Sequence, residues 1–239
     1  MANFFFQFKQ FTVYQDQCAM KVGTDGVLLG AWSDVSACKN ILDVGTGTGL
    51  ISLMLAQRSP NADIVAIDID EDCSIQAKQN IAQSLFANQI NVQQISFQDF
   101  LNSTKKRFDL IVSNPPYFQN ALKSPDISRN YARHDNTLSY KDIFATGDSL
   151  LSKKGRIALI LPSDLKQKVI DDAARANLYP SRITHVFPLP HKPAKRILIE
   201  FVKSQTNIAC KENKLVIETG RHHYSEEFKR LTKGFYLDK

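Results

Sequence analysis

Residues 40–58 read NILDVGTGTGLISLMLAQR, and this stretch decides the fold class. The run up to Val44 is short and almost wholly apolar, as in a strand that is covered on both faces. Gly45, Gly47 and Gly49 follow at alternate positions, and an apolar stretch of helical length comes next. Glycine lets the backbone turn sharply and lie close against a ligand. The stretch therefore predicts a strand over 40–45, a ligand-binding turn, and a helix over 49–58.

The same alternation of strand and helix continues along the central part of the chain. Near-continuous apolar runs predict six further strands, over 63–69, 90–96, 107–113, 155–162, 181–188 and 196–202. Helical patterns are found over 71–87, 140–151 and 163–177, the last with Ser163 as its N-cap. Strands and helices that alternate through right-handed crossovers form a doubly wound sheet. We therefore expect a Rossmann-like α/β fold.

The composition is that of an ordinary globular chain. A length of 239 residues with 43% hydrophobic and 23% charged residues suits one domain, and no run of 18 apolar residues predicts a membrane span. The four cysteines form no C-x-x-C pair, which argues against a zinc site or a disulfide framework and fits a reducing compartment. We expect a cytoplasmic monomer that binds neither metal nor membrane.

The formal net charge of +6 is concentrated near the C-terminus. From residue 191 onward, eleven Lys or Arg residues stand against six Asp or Glu residues, which gives a net charge of +5 for that segment. A basic surface attracts phosphate groups. Excess surface lysine without any binding role would give the same count, so charge alone leaves nucleic-acid binding open.

Acidic residues accompany the glycine turn and indicate its ligand. No basic residue lies in the turn and no G-K-[ST] follows it, so a phosphate cradle of the P-loop kind is not expected. Asp43, with backbone carbonyls, can meet the ammonium group of an amino-acid-bearing nucleoside such as S-adenosylmethionine. Asp68 lies at the tip of the second strand, where an acid can accept both ribose hydroxyl protons. We expect Asp99, in SFQDF after the third strand, near the adenine amino group.

Each acid alone has a simpler explanation, since Asp68 could be a helix N-cap and Asp99 a surface acid. Together, in order and each expected at a strand end, they resemble the class I S-adenosylmethionine-dependent methyltransferases over about residues 40–203. The resemblance implies a seven-stranded, mostly parallel sheet with helices on both faces and an antiparallel last strand. It also implies that the cofactor is held by Asp43, Gly45, Gly47, Asp68 and Asp99.

Residues 113–118, SNPPYF, follow the fourth strand and so are expected at the same sheet edge. Two prolines fix φ and remove two backbone donors, which leaves the Pro115 carbonyl and the Asn114 side-chain oxygen as fixed acceptors. These acceptors can take both protons of a planar exocyclic amine, and Tyr117 offers a face for stacking, worth about 1–3 kcal/mol per base. SNPP could also simply end a strand.

The motif resembles the [ND]-P-P-[YFW] signature of amino-methylating enzymes. That signature covers adenine N6, guanine N2, cytosine N4 and protein glutamine amides, so it gives the reaction and not the substrate. A long polar loop follows, in which Phe118, Arg129, Arg133 and His134 are candidates to hold RNA around a base turned out of its stack. The same residues would also suit a solvent-exposed loop.

The N-terminal segment reduces the range of possible substrates. Residues 6–32, FQFKQFTVYQDQCAMKVGTDGVLLGAW, together with SNPPYF and ARHD, closely resemble the bacterial tRNA1(Val) (adenine-37-N6)-methyltransferases. The resemblance implies a tRNA substrate methylated at N6 of adenine 37 in the anticodon loop. It also implies that Lys21, Thr24 and Asp25 lie near the cofactor, although a turn followed by a helix N-cap would explain Thr24 and Asp25 equally.

The resemblance divides the chain into three expected parts. Residues 1–39 form an extension that caps the cofactor site, residues 40–203 form the catalytic domain, and residues 204–239 form a basic extension packed on that domain. Two other functions stay open. One is an rRNA guanine-N2 or protein glutamine-N5 methyltransferase with the same chemistry, and the other is a non-catalytic RNA-binding module with this fold.

Overall fold

The computed structural model describes residues 3–18, 20–116, 138–206 and 208–237. Its strands are β1 (Phe5–Gln7), β2 (Thr12–Tyr14), β3 (Asn40–Val44), β4 (Asp63–Asp68), β5 (Ile90–Gln94), β6 (Phe108–Ser113), β7 (Leu151–Pro162), β8 (Leu178–Phe187), β9 (Arg196–Lys203), β10 (Lys211–Val216), β11 (Glu218–Gly220) and β12 (His223–Tyr224). Its helices are α1 (Thr24–Trp32), α2 (Leu50–Arg58), α3 (Glu71–Ala82), α4 (Phe97–Ser103), α5 (Tyr140–Ala145), α6 (Gly147–Leu150), α7 (Lys166–Ala174) and α8 (Glu226–Thr232).

The centre of the molecule is an eight-stranded sheet with the order β10-β8-β9-β7-β6-β3-β4-β5. All seven predicted strands are present, and the predicted antiparallel strand is β9, which lies between β7 and β8 and runs opposite to both. The eighth strand, β10, comes from the C-terminal segment and pairs in parallel with β8. The predicted Rossmann-like fold is thus confirmed, with one strand added at an edge.

Helices cover both faces of this sheet. On one face α1, α2, α3 and α8 enclose a core that contains Leu28, Leu53 and Phe228. On the other face α4, α5, α6 and α7 enclose a second core that contains Phe144 and Phe201. Burying such a side chain stabilises the fold by about 1.5–3 kcal/mol. Burial on both faces explains why the strands read as continuous apolar runs.

Several predicted boundaries are wrong. The predicted helix over 71–87 ends at Ala82, and the one over 140–151 is interrupted at Thr146, with α5 on one side and α6 on the other. Ser163 is not an N-cap: its hydroxyl donates to the carbonyl of Ala194 (2.6 Å), and it begins a 3-10 turn before α7. The Ser163 side chain therefore makes a tertiary contact instead of the helix cap that the local sequence predicts.

The two terminal segments pack on this framework. β1 and β2 form a hairpin whose Phe6 and Phe8 rings contact Tyr236 near the C-terminus, with ring centroids 5.9 Å apart in both pairs. Among the described residues, no helix is long and apolar enough to cross a membrane. The same part of the chain holds no group of three or more His, Cys, Asp or Glu side chains arranged for a metal ion.

Candidate functional site

Some of the predicted site residues, among them Asp43, Gly45 and Asn114, lie where β3 and β6 run side by side. The chain continues from β3 to β4 on one side, whereas β6 and β7 lie on the other. Ligands of open α/β sheets bind beyond the carboxyl ends of the strands at such a switch point. The Ser113 hydroxyl at the end of β6 donates to the Val44 carbonyl at the end of β3, at 2.7 Å. This bond ties the start of the Asn114–Pro115 turn to the start of the glycine turn.

The glycine turn depends on backbone angles that other residues rarely adopt. Gly45, Gly47 and Gly49 have φ angles of +73°, +56° and +81°. A Cβ added at Gly47 would have no described atom within 4 Å, so the turn presents bare backbone on that side. The N–H groups of Gly45 and Thr46 both donate to the carbonyl of Ile67 in β4, at 2.9 and 3.0 Å. The predicted ligand-binding turn is therefore open to a ligand and held firmly to the neighbouring strand.

Asp43 lies beneath this turn and is fully buried. One carboxylate oxygen accepts hydrogen bonds from the hydroxyls of Thr46 and Ser52, both at 2.7 Å, and the other has no partner among the described residues. Burial raises the pKa of this carboxyl to about 6, against the lowering effect of the two hydroxyls. Direct contact of Asp43 with an ammonium group remains a prediction. Its negative charge can still act on a cation above the turn.

Asp68 lies at the tip of β4, partly exposed, as predicted. Its two oxygens accept the backbone N–H of Gly47 (2.8 Å) and that of Asp70 (3.0 Å). Each oxygen keeps a further lone pair for a ligand hydroxyl. The pKa of Asp68 is raised, mainly by desolvation. The alternative role as a helix N-cap is wrong, because the residue that caps α3 is Asp70, which accepts the Cys73 N–H.

Asp99 does not lie at a strand end, so that part of the prediction is wrong. It belongs to the first turn of α4, and its side chain is exposed. Ser96 is the N-cap of this helix. The Ser96 hydroxyl accepts from the Asp99 N–H at 3.0 Å and donates to the Asp99 carboxylate at 2.7 Å. The Ser-x-x-Asp pattern of residues 96–99 is typical of a helix N-terminus. Contact of Asp99 with a cofactor remains a prediction.

The N-terminal candidates lie at the start of α1. The N-cap of this helix is Gly23, with no side-chain cap bond, so the capping explanation for Thr24 and Asp25 is wrong. Asp25 forms an ion pair with Arg196, with 2.8 Å between carboxylate and Nε, which fixes α1 to the start of β9. Lys21 and Thr24 are exposed. Cofactor contact for all three residues remains a prediction.

Five of the predicted substrate-binding residues lie outside the described residues: Tyr117, Phe118, Arg129, Arg133 and His134. The description resumes at Leu138, whose side chain would lie 3.6 Å from a Cβ added at Gly45. Asn114 itself is half-buried, and Pro115 is buried.

Four residues that hold this site together were not predicted: Thr46, Ser52, Asn80 and Ser113. Thr46 and Ser52 bind Asp43, and Ser113 joins the two turns. Hydroxyl residues within apolar runs, such as Ser52 in LISLMLA, were the available signal, because a buried hydroxyl needs a hydrogen-bond partner. Nothing in the local sequence identifies Asn80, whose partners Tyr14 and Thr48 are distant in the chain.

A separate open cavity of about 780 Å³ lies at the opposite end of the strands, where β3 and β4 begin. Its walls come from residues 34–39 before β3 and residues 58–61 before β4. These segments precede their strands, whereas the glycine turn follows β3. The cavity is therefore unrelated to the site described above.

The residues present fit S-adenosylmethionine. This molecule carries positive charges and ribose hydroxyls. The site offers a buried carboxylate in Asp43, one oxygen of which has no partner within the described part of the chain, a partly exposed carboxylate in Asp68, and bare backbone at Gly47. Carboxylates attract the cationic groups and can accept hydrogen bonds from the hydroxyls.

Comparison with solved structures supports the fold. A predicted O-methyltransferase from Agrobacterium tumefaciens superposes with a TM-score of 0.68 at 20% identity, over 88% of this chain and 96% of the other. A ribosomal protein L11 methylase from Lactobacillus delbrueckii superposes with a TM-score of 0.53 at 18% identity, over 75% of this chain and 77% of the other. Likeness at these identities shows a shared fold only.

Comparison of sequences gives the family. Residues 22–176 match the Methyltransferase small domain family. Proteins named tRNA1(Val) (adenine(37)-N6)-methyltransferase are 55% identical in Parabacteroides distasonis, over 99% of both chains, and 47% identical in Trichodesmium erythraeum, over 97% of both chains. The family resemblance drawn from residues 6–32 and SNPPYF is thereby confirmed. The chain belongs to the tRNA1(Val) (adenine(37)-N6)-methyltransferase family.

Proposed function

We propose that this protein transfers a methyl group from S-adenosylmethionine to N6 of adenine 37 in tRNA1(Val). The observation that carries the proposal is the bond from the Ser113 hydroxyl to the Val44 carbonyl. It joins the turn suited to an exocyclic amine to the turn suited to the cofactor, so acceptor and donor would meet at one sheet edge. Family membership supports adenine 37 as the target.

The chemistry follows from the acceptors at the end of β6. S-adenosylmethionine supplies an electrophilic methyl group on a sulfonium. The Asn114 side-chain oxygen and the Pro115 carbonyl would accept the two N–H groups of the adenine amine. These bonds raise electron density on nitrogen and direct its lone pair away from the ring. Positioning and preorganised electrostatics then lower the barrier, and the product proton leaves to water without a dedicated base.

The parts of the chain would divide this work. In our proposal residues 1–39 cap the cofactor, residues 40–203 carry catalysis, and residues 204–239 form a basic extension on the same domain. Tyr117 would stack on the turned-out base, and Phe118, Arg129, Arg133 and His134 would contact the RNA beside it. We also propose that the protein acts as a monomer in the cytoplasm, where its four free cysteines would stay reduced.

We place further tRNA contacts on a surface that we call the basic rim, formed by residues 188–195 and the β11–β12 hairpin. Pro162 of β7 and Val186 of β8 both lie opposite Arg196, so both strands end at the same edge as β6. The segment 188–195, PLPHKPAK, contains two lysines, one histidine and no acid. The hairpin between β11 and β12 carries Arg221, His222 and His223, all exposed.

Hydrogen bonds hold the two halves of the basic rim in place. The Glu218 N–H donates to the Pro188 carbonyl at 3.1 Å, and the Ser163 N–H donates to the Lys195 carbonyl at 3.2 Å. Three strand spacings separate β6 from β8, which is roughly 14 Å. The rim is thus suited to phosphates that flank the base bound at Asn114, rather than to the base itself.

Removing Lys192 and Lys195 together by substitution with alanine should raise the KM for tRNA and leave the KM for S-adenosylmethionine unchanged. Each lost phosphate contact should lower the slope of log K against log salt by about one. Methylation rates measured over a range of salt concentrations give both quantities. The matched control is Lys153→Ala with Lys154→Ala, two exposed lysines near the amino end of β7. Equal effects of the two pairs would contradict the basic rim.

The proposed activity is tested by offering labelled S-adenosylmethionine with four acceptors in parallel: tRNA lacking modifications, rRNA, DNA and release factor. We expect label in tRNA only, at a single adenine that mass mapping places at position 37. Label in rRNA guanine or in a protein glutamine would replace the substrate assignment with one of the alternatives. A protein that fails to bind the cofactor at all would instead be a non-catalytic RNA-binding module.

A further inference from the structure

The N-terminal extension is bound along one face of α3 by a row of side chains. Cys73, Gln76 and Asn80 are spaced by three and four residues, so they share one face of the helix. The segment Tyr14–Cys18 runs antiparallel along them. The Gln76 side-chain oxygen accepts the Gln17 N–H at 3.0 Å, and the Cys18 and Cys73 sulfurs lie 3.0 Å apart.

Asn80 contacts the glycine turn as well as the extension. Its side-chain oxygen accepts the Tyr14 N–H at 2.9 Å. Its amide nitrogen donates to the carbonyls of Tyr14 (2.9 Å) and Thr48 (2.8 Å). Thr48 stands between Gly47 and Gly49 in the glycine turn. Asn80 is only 1% exposed, so water cannot replace these bonds, and a lost partner leaves a buried polar group unsatisfied.

We propose that Asn80 is a positioning residue for S-adenosylmethionine, which holds the glycine turn and the N-terminal extension in one arrangement. The inference rests on the proposed function, because it takes the glycine turn as the cofactor site. Three glycines at alternate positions of the turn, Gly45, Gly47 and Gly49, have positive φ. Glycine gives such a turn many alternative conformations, and Asn80 is the buried side chain that fixes the carbonyl of Thr48 within it. The Asn80 carboxamide thus binds the N-terminal extension and also shapes the cofactor site.

Gln76 provides a matched control. It is equally buried, lies one turn away on the same helix, and binds the same extension through Gln17. Among the described residues, its hydrogen-bond partner Gln17 belongs to the extension and not to the glycine turn. A merely structural role would give Asn80→Ala and Gln76→Ala similar consequences, namely a lower melting temperature with little change in the KM for the cofactor.

We expect Asn80→Ala to raise the KM and Kd for S-adenosylmethionine by about tenfold or more, because it leaves the Thr48 carbonyl of the glycine turn without its hydrogen bond. The kcat at saturating cofactor and the KM for tRNA should stay within about threefold of wild type. Gln76→Ala should change the KM for the cofactor less than threefold. Asn80→Asp, which keeps the size and the acceptor but loses both donated bonds, should reproduce the cofactor defect if the alanine variant fails to fold.

A measurement on the wild-type protein makes the test independent of variant folding. Hydrogen exchange with and without S-adenosylmethionine should show slower exchange in residues 45–49 and, coupled through Asn80, in residues 12–18. Protection of 45–49 alone, or equal cofactor KM values for the Asn80 and Gln76 variants, would overturn the positioning role. Failure of the wild-type protein to bind S-adenosylmethionine is a different result, and it would count against the proposed function itself.

Discussion

Replacing Asn114 with alanine should lower the turnover number about 10²–10³-fold, as does the loss of one preorganised polar group in other active sites. Asn114 begins the turn that the Ser113–Val44 bond fixes beside the glycine turn. The substitution removes one of the two acceptors for the adenine amine and leaves the Pro115 carbonyl in place. Single-turnover methylation of unmodified tRNA, at saturating cofactor, gives the rate.

Asn114→Asp is the matched variant, because aspartate keeps an acceptor oxygen in nearly the same position. We expect it to retain far more activity than Asn114→Ala. Both variants should bind S-adenosylmethionine and tRNA as the wild type does, since neither substitution touches Asp43, Asp68 or the basic rim. An alanine variant that turns over at nearly the wild-type rate, with normal tRNA binding, would show that Asn114 does not hold the amine.

Asp43→Asn should weaken the binding of S-adenosylmethionine roughly tenfold. A unit charge about 10 Å from a cation, in a medium with an effective dielectric constant near 20, contributes about 1.7 kcal/mol. The buried carboxylate supplies that charge without touching the solvent, and asparagine keeps an acceptor for the hydroxyls of Thr46 and Ser52. Titration calorimetry above pH 7, where the carboxyl is ionised, gives the dissociation constants. Unchanged affinity would remove Asp43 from the cofactor site.

The same substitution should change how stability depends on pH. The pKa of Asp43 in the folded chain is about 6, raised by burial from its ordinary value of 3.8. Between about pH 4 and pH 6 the folded chain holds a proton that the unfolded chain has lost. The contribution of Asp43 to the free energy of unfolding is therefore full below about pH 4 and is lost as pH rises through about 6. The difference corresponds to about 3 kcal/mol, at 1.36 kcal/mol per pH unit.

The free energy of unfolding can be measured by chemical denaturation at several pH values from 4 to 8. As pH rises, the wild type should lose the contribution of the Asp43 carboxyl, and Asp43→Asn has no such contribution to lose. Other groups titrate in both proteins, so the informative quantity is the difference between the two unfolding free energies. That difference should shift in favour of Asp43→Asn as pH rises, and should level off above about pH 7. Parallel curves would mean that the carboxyl titrates in its ordinary range.

The parts of the fold that could be predicted are those encoded by short, repeating patterns. The stretch 40–58 identifies β3, the turn and α2, because apolar strands and glycine spacing are local features. Asp68 was placed correctly at the tip of β4 for the same reason. The order of strand-end motifs then brought Asn114 and Gly45 to one edge, because parallel strands present their carboxyl ends together.

The remaining features depend on distant partners. Asp43 was predicted at a strand end, but its burial beneath Thr46 and Ser52 follows from the packing of α2 against the sheet. Ser163 carries a local capping signal and uses its hydroxyl for Ala194 instead. Asn80 contacts Tyr14 across 66 residues of sequence. A single sequence contains no sign of such pairings.

The eighth strand has a consequence for how the C-terminal segment can be studied. β10 covers the backbone of β8 along six residue pairs, from Lys211 opposite Arg182 to Val216 opposite Phe187. Without it, β8 would present a long row of unpaired N–H and C=O groups, the kind of open edge through which sheets associate with one another. A chain cut after residue 203 would therefore gain a self-association surface along with losing positive charge. The contribution of this segment to RNA binding is separable from its shielding of the sheet only by changing side chains, with the strand left intact.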